Sequence, residues 1–349
     1  MKKIFVTGGS GFIGSNFIID QLNNTDNHIL NLDKLTYAGN NENLLSVSKN
    51  KNYSFIRGDI SDKKLVKSIF KDFLPDTIVN FAAETHVDRS IDGPSIFIET
   101  NIIGTLNLLN ISLDYYQTNS SFRFVHISTD EVFGSLNFKD NPFIETNRYN
   151  PSSPYAASKA SSDHLVKSWY KTFNLPTIIS NCSNNYGPLQ FPEKLVPLMI
   201  ANCIDKKPLP VYGDGTNIRD WLFVEDHCSA ISTIIKRGRP GETYNVGGNN
   251  EITNKDIVIK ICTILDKLIP IEDKSSYKDL LIFVKDRPGH DLRYAINSSK
   301  IKKELDWEPI ESFETGIYKT IKWYLENESW WRKIQIKHYN QERLGLKTT

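Results

Sequence analysis

Sulfur is scarce in this sequence: 349 residues hold four cysteines and two methionines. Cys182, Cys203, Cys228 and Cys262 stand far apart with no C-x-x-C pair, which argues against a zinc ribbon or a disulfide scaffold. Charge of one sign is missing as well, with 42 Lys and Arg against 41 Asp and Glu and a net charge of +1. A chain that coats nucleic acid needs clustered positive charge, so no nucleic-acid partner is expected. No uninterrupted apolar run approaches about 18 residues, so no membrane span is expected either. A strand pattern begins at Lys3, and the expectation is a cytoplasmic chain without a signal peptide. His86 and Asp88 flank a valine with no third ligand at a telling spacing, so no metal is expected, and His126 reads as a satisfied core residue.

What is present is an ordinary globular composition, 39% hydrophobic and 24% charged. At about 150 residues per domain, the length suggests two domains or one large domain with an appendage. Short runs rich in Ile, Val and Phe at 3–7, 29–33, 53–57, 77–82, 122–128 and 177–182 fit strands buried on both faces of a parallel sheet. Helical spacing lies between them, as at 60–73, and Pro94 opens a longer apolar helix ending near Tyr116. This alternation predicts a doubly wound, Rossmann-type α/β sheet over 1–182. After Cys182 turn clusters appear, and 183–349 reads mainly as a smaller α/β substrate domain. Strands at 221–224 and 243–246 flank a helix at 225–236, and 218–250 is expected to return to the first sheet. Further helices are expected at 254–267 and 311–326. The Asn/Lys-rich stretch 40–52 is expected to be a solvated loop around a short helix, and the basic tail from Trp330, including Arg343 and Lys347, a solvated surface.

The first strand runs straight into Gly8-Gly9-Ser10-Gly11-Phe12-Ile13-Gly14. Glycine is needed there because a Cβ would block the tight turn and keep a pyrophosphate from the backbone N–H groups, while the helix that follows offers its positive end. Asp33, nineteen residues past Gly14, ends the second strand and is placed to accept from ribose hydroxyls. It would repel a 2′-phosphate, which favours NAD over NADP, although Lys34 beside it is a cation that such a phosphate would welcome. Further on, Tyr155 and Lys159 are four residues apart, on one face of a helix. A phenol, with a pKa of about 10, is a poor base at neutral pH. A nearby ammonium and a cationic nicotinamide would lower that pKa. The fifth strand ends in Thr129-Asp130-Glu131-Val132-Phe133-Gly134, at the edge where open α/β sheets bind ligands. Two adjacent carboxylates beside a Tyr/Lys pair suit an elimination, in which one group acts as acid and the other as base.

With these residues in place, the sequence resembles the extended short-chain dehydrogenase/reductase family over nearly its whole length, and within it the branch of dTDP-glucose 4,6-dehydratases. Thr129 to Gly134, 33–40, 82–90, 183–188, Arg219-Asp220-Trp221 and Arg287-Pro288-Gly289-His290-Asp291 carry the likeness in order. Thr85 stands where serine would be expected and keeps the hydroxyl. The resemblance implies a hydro-lyase that holds NAD and acts on dTDP-glucose, as a homodimer built on helices near 94–116 and 152–173. It implies Thr129, Asp130, Glu131, Tyr155 and Lys159 as the reacting set. It places Gly8, Gly11, Phe12, Ile13, Gly14, Asp33, Lys34, Leu35, Thr36, Asp59, Ile60, Ala82, Ala83, Thr100 and Asn185 at the cofactor, with Asp59 accepting from the adenine amino group. Thr85, Asn184, Lys194, Leu195, Arg219, Asn254, Arg287 and His290 would line the nucleotide-sugar site, where an arginine suits bidentate pairing with a diphosphate.

Three other functions compete. A 4,6-dehydratase for UDP- or CDP-glucose differs only in base contacts. A nucleotide-sugar 4-epimerase needs the Tyr/Lys pair but has no use for an acid and a base aimed at C6 and C5. A silent NAD-sensing regulator would not require Tyr155, Lys159, Asp130 and Glu131 together.

Overall fold

The structure, a computed structural model, describes residues 1–273, 275–287 and 289–339; Pro288, Arg343 and Lys347, singled out above, lie outside the described residues. Twelve strands occur among the described residues in chain order: β1 Lys3–Thr7, β2 His28–Asp33, β3 Tyr53–Arg57, β4 Thr77–Asn80, β5 Arg123–Thr129, β6 Thr177–Cys182, β7 Asn184–Tyr186, β8 Leu209–Tyr212, β9 Ile218–Phe223, β10 Thr243–Val246, β11 Glu251–Thr253 and β12 Leu281–Val284. Seven of them form a wholly parallel sheet in the order β3-β2-β1-β4-β5-β6-β10. The chain starts in the middle, winds outward to β3, then returns to β4 and winds the other way. A crevice therefore opens between the carboxyl ends of β1 and β4, where the loops leave in opposite directions. Parallel strands need helices on both faces, and the strands answer with unbroken apolar runs: Ile4, Phe5 and Val6 of β1 are fully buried.

Local signals place the helices that frame this crevice. Helix Lys63–Phe73 starts at Asp62, whose carboxylate accepts from Lys64 N and Leu65 N, and stops at Leu74 with φ 53°. Helix Pro154–Phe173 starts with Ser153 accepting from Ala156 N, has proline in its first turn, and ends at Asn174 with φ 56°. Its first two turns hold Tyr155 and Lys159, which its pitch brings to one side. Helix Phe12–Asn24 packs against Val224–Arg237 on one face of the sheet, and Lys63–Phe73, Thr105–Tyr116 and Pro154–Phe173 pack together on the other.

The expected helix over 94–116 is not uniform. A short α turn at Ser95–Phe97 gives way to a π-helical stretch, Ile98–Gly104, before α-helix resumes at Thr105–Tyr116. The wider turn carries Thr100 and Asn101 at the crevice; such bulges recur at functional sites. Ser95–Tyr116, 22 residues, is also long and apolar enough to cross a membrane by length and composition, despite Glu99. Leu108, Leu109 and Ile111 on it are buried in the core beside Phe122 and Phe124. The stretch 40–52 is less solvated than expected: Leu44 and Val47, around the short 3₁₀ turn Asn41–Leu44, join the core.

A second core gathers around Tyr186, Trp221, Phe223, Phe313, Ile317 and Trp331. The segment 218–250 is divided between the two regions. β10 joins the seven-stranded sheet beside β6, whereas β9 pairs in parallel with β7 and antiparallel with β11 in a separate three-stranded sheet. The apolar run of β9 identified a strand, but no local pattern names its partner.

Candidate active site

One cavity of about 290 Å³ runs along the carboxyl edge of the sheet, walled by the loops after β1, β2, β3, β4, β5 and β6 and by helix Pro154–Phe173. At one end stands the glycine loop. Gly8 has φ +72°, and a Cβ there would meet Ala82 N at 2.6 Å. A Cβ on Gly14 would meet Gly8 O at 2.5 Å, so glycine there lets helix Phe12–Asn24 press against β1. Gly11 differs: its Cβ would meet nothing nearer than Gly8 O at 3.3 Å, and it stands as the N-cap without a side-chain bond to the helix. The positive end of this helix therefore faces the cavity uncapped, as a pyrophosphate requires.

Asp33 does more than wait for a ribose. Its Oδ2 accepts from Ser10 N at 2.9 Å and its Oδ1 from Leu35 N at 2.8 Å, which ties the ends of the first two strands together. Burial raises its pKa, and these two bonds pull it back. Lys34 Nζ lies 2.7 Å from Asp59 Oδ2, so the cation beside Asp33 already has its own carboxylate. That pairing weakens the case for a 2′-phosphate. It also means that Asp59, expected to meet an adenine amino group, is first of all the partner of Lys34.

At the other end of the cavity stand Thr129, Asp130 and Glu131. The Thr129 hydroxyl caps the turn Asp130–Phe133 by accepting from Glu131 N at 3.2 Å. Asp130 is 2% exposed, and its Oδ2 has no hydrogen-bond partner. Burial, then the charges of Glu131 and Asp220, hold the Asp130 carboxyl well above its ordinary pKa. Glu131 is raised by burial too, but Arg287, Arg219 and Lys194 oppose the shift. Neighbouring carboxylates thus meet opposite fields, a negative one at Asp130 and a positive one at Glu131. Groups so divided can donate a proton and accept one at the same pH.

Tyr155 closes the cavity beside them. Burial, then Glu131, pushes its phenol well above 10, and only the Thr129 hydroxyl in hydrogen-bond reach works the other way. The expected depression by Lys159 is not found. The Lys159 Nζ donates to Ile127 O at 2.8 Å, and burial pulls its own pKa down to about 8. In the chain alone the tyrosine is therefore a phenol, because the burial that shields it also raises its pKa.

Of the other expected residues, Gly8, Gly11, Phe12, Ile13, Gly14, Asp33, Lys34, Thr36, Asp59, Ile60, Ala82, Ala83, Thr85, Thr100, Asn184, Asn185 and Lys194 line the same cavity. Leu35, Leu195, Arg219, Asn254, Arg287 and His290 do not. Leu35 has φ +56° and contributes its N–H to Asp33. Leu195 and Asn254 begin helices, and Asn254 donates its backbone N–H to Asn217 O. Arg219 lies over the Tyr294 ring at 4.2 Å and donates to Asp291 O at 3.0 Å, while Arg287 pairs with Asp88 at 2.5 Å. His290 bonds Asp286 at 2.6 Å, and burial with two nearby arginines takes it down to about 4.

Sequence reasoning missed several participants. Glu193 lines the cavity, pairs with Arg89 at 2.9 Å and lies 3.9 Å from His86, clasping the loop after β4 to the loop before helix Leu195–Ile204. Asn101 accepts from Glu84 N and donates to Glu84 O and to Ser158, fixing that loop to the helix of Tyr155. Asp291 accepts from Ser152, just before the same helix, and from Tyr294. Glu84, Arg89 and Asp291 lie within the motifs 82–90 and Arg287–Asp291, and Glu193 stands beside Lys194, but the bonds that give these residues and Asn101 their roles are tertiary contacts.

The glycine cradle, the uncapped helix and the paired Asp33 fit a dinucleotide, and comparison with known proteins agrees. The family model described as GDP-mannose 4,6 dehydratase matches residues 5–320. A dTDP-glucose 4,6-dehydratase of Neisseria meningitidis serogroup B is 53% identical over 352 residues, covering 99% of each chain. One from Escherichia coli is 54% identical over 359 residues with the same coverage. The crystal structure of dTDP-glucose 4,6-dehydratase from Bacillus anthracis in complex with NAD has a TM-score of 0.85 at 46% identity, covering 96% of this chain and 100% of that one. A UDP-glucose 4-epimerase from Thermotoga maritima with UDP-glucose reaches a TM-score of 0.82 at 27% identity, covering 93% of this chain and 99% of that one.

The loop geometry separates two glycines experimentally. Gly11→Ala should melt near the wild-type temperature yet bind dinucleotide at least about tenfold more weakly, because its methyl faces the ligand. Gly14→Ala should lower the melting temperature as well, because its methyl meets backbone. Calorimetric titration and thermal melts check both; wild-type affinity in Gly11→Ala would place the ligand elsewhere.

Proposed function

The chain belongs to the dTDP-glucose 4,6-dehydratase family of extended short-chain dehydrogenase/reductases, and we propose on that premise that it converts dTDP-glucose to dTDP-4-dehydro-6-deoxyglucose and water with NAD as cofactor. The observation that carries this reading is the pair of adjacent carboxylates held in opposite fields beside Tyr155. A 4-epimerase shares the fold and the tyrosine but has no step for such a pair.

Bound NAD supplies an acceptor for the C4 hydride, a donor to C6 afterwards, and the positive charge that Tyr155 lacks in the chain alone. The cofactor would be held by the glycine loop at its pyrophosphate and by Asp33 at its ribose, with Tyr155 and Lys159 at its reactive end. The residues do the rest. Tyr155, steadied by Thr129, takes the proton of the sugar 4-hydroxyl as C4 is oxidised. The ketone so formed acidifies the C5–H bond, and ionised Glu131 removes that proton. Asp130, kept protonated, gives its proton to the C6 hydroxyl, and water departs. After C6 is reduced, Glu131 returns its proton to C5. The hydride lost at C4 is regained at C6, so no net redox change remains, and the proton held on Tyr155 balances the one Asp130 has given up. Arg219 suits the diphosphate.

The same reading includes a cytoplasmic homodimer, supplying a precursor for deoxysugars. Exposed Ile96, Ile98 and Ile103 on the helical stretch Ser95–Tyr116, and Phe173 at the end of Pro154–Phe173, support an apolar contact between two copies there.

Incubation with dTDP-glucose should give a 4-keto sugar that absorbs in alkali, faster than with UDP- or CDP-glucose; a 4-epimer instead would overturn the dehydratase reading. Tyr155→Phe should abolish cofactor reduction, whereas Asp130→Asn and Glu131→Gln should spare it and slow water loss by at least about a hundredfold. Dehydration at the wild-type rate in both carboxylate variants would show the roles are misassigned. The pH profile supplies a further check. Glu131 must be ionised, and Arg287 is the strongest charge lowering its pKa. Arg287→Met should therefore raise that pKa and move the acid limb of the dehydration rate to higher pH, by about half a unit or more. Arg287→Lys should leave the limb nearly in place, and an unmoved limb in Arg287→Met would disconnect this arginine from the base.

A further inference from the structure

Behind Lys159, away from the cavity, a polar network is sealed in the sheet–helix interface. His126 of β5 is 1% exposed, and Asp163, one turn after Lys159 on the same helix, is fully buried. The tautomer of His126 follows from its neighbours. Thr7 donates to Asn80 Oδ1 at 2.6 Å, so the Asn80 amide group faces His126 and approaches its Nδ1 at 3.1 Å. Nδ1 is thereby the acceptor, and the ring proton sits on Nε2. That N–H faces Ser162 Oγ at 3.2 Å and Asp163 Oδ1 at 3.6 Å, with the Lys159 Nζ at 3.5 Å on the same side. Since both nitrogens then carry protons, the Lys159–His126 approach is a meeting of two donors and not a hydrogen bond.

Asp163 resolves that conflict. Its Oδ2 accepts from Ser128 Oγ and Tyr149 OH, each at 2.9 Å, while its Oδ1 has no hydrogen-bond partner and lies 3.6 Å from His126 Nε2, which is itself 3.5 Å from the Lys159 Nζ. A buried oxygen left this way is costly unless a positive charge faces it, and a buried ammonium is costly unless a negative charge faces it. We propose that Asp163, acting across the neutral ring of His126, is the positioning residue that keeps Lys159 an ammonium at its place in the active cavity.

The charged and titratable groups around the pair are few. Lys159 feels the charge of Asp163 on its own helix and of Cys182 at the end of β6, and approaches His126 on β5. Asp163 meets Lys159 and Lys167 on its helix, Ser128 and His126 on β5, and Tyr149 from the preceding loop. Of the causes acting on Lys159, burial lowers its pKa and Asp163 is the strongest that raises it; Lys159 is in turn the strongest that lowers Asp163. Burial first, then the charge of Lys159, holds His126 well below its usual value, so the ring stays neutral beside them. The inference rests on the role given to Lys159 above and extends it to a residue that touches neither cofactor nor sugar.

Asp163→Asn tests it, because the amide oxygen still accepts from Ser128 and Tyr149 while the charge is gone. Protein labelled with ¹³C at lysine Cε, with Lys159 assigned by its loss in Lys159→Arg, is titrated in wild type and variant. The pKa of Lys159, about 8 in the native chain, should fall by at least about one unit. Cofactor reduction, a step in which Asp130 takes no part, should have its alkaline limb displaced to lower pH by the same interval, with a loss of about fivefold at pH 8 and little loss at pH 6. Asp163→Ser removes the same charge with a smaller side chain and should shift both readouts alike should the amide pack badly. An unmoved Lys159 titration, with rates lowered equally at every pH, would reduce Asp163 to a structural role. The titration needs no sugar, so it stands apart from the identity of the substrate.

Discussion

Two carboxyl groups on consecutive residues, one buried and the other partly so, cannot both be ionised cheaply. Asp130 and Glu131 stand in that position, and much of the site can be understood as the division of one negative charge between them. Asp220 and Glu131 press a proton onto Asp130, while Arg287, Arg219 and Lys194 draw one away from Glu131. The cations come from the second region of the chain, on β9, on the loop after β12 and before helix Leu195–Ile204. The two carboxylates come from the end of β5. The chemistry thus requires the two regions to meet, and the clasps Arg89–Glu193, Arg287–Asp88 and Ser152–Asp291 hold them together.

The same burial governs the tyrosine and the lysine. Enclosing Tyr155 raises its pKa and enclosing Lys159 lowers its own, so neither tends toward its reactive state without help. Thr129 and a bound cationic ring serve the first, and Asp163 serves the second. The parallel sheet makes this possible by delivering six loop ends to one edge, with glycines where backbone must approach backbone. The rigid part of the site is therefore built from strand ends and one helix.

Much of this was legible in the sequence where the cause is local. The glycines at 8, 11 and 14, the apolar runs of β1, β3, β6 and β10, and the four-residue spacing of Tyr155 and Lys159 are such causes. The π turn at Ile98–Gly104 was hidden because its residues have ordinary helical spacing. The pairing of β9 with β7 and β11 could not be deduced because apolar alternation marks a strand without naming its neighbour. His126 was recognised as buried but not as a link, since its partners Asn80, Ser162 and Asp163 lie 36 to 46 residues away or on another element. Spacing alone also leaves open how Lys159 acts on Tyr155: four residues fix a face, not the direction in which a long side chain donates, and the Lys159 Nζ donates to Ile127 O.

The account turns on Asp130 and Glu131 holding different protonation states at one pH. Infrared difference spectra at neutral pH report this directly, since a protonated carboxyl has a C=O stretch that a carboxylate lacks. The account predicts such a band in the native protein, its loss in Asp130→Asn and its persistence in Glu131→Gln. A native spectrum without the band, or a band that vanishes with Glu131 and survives without Asp130, would contradict it.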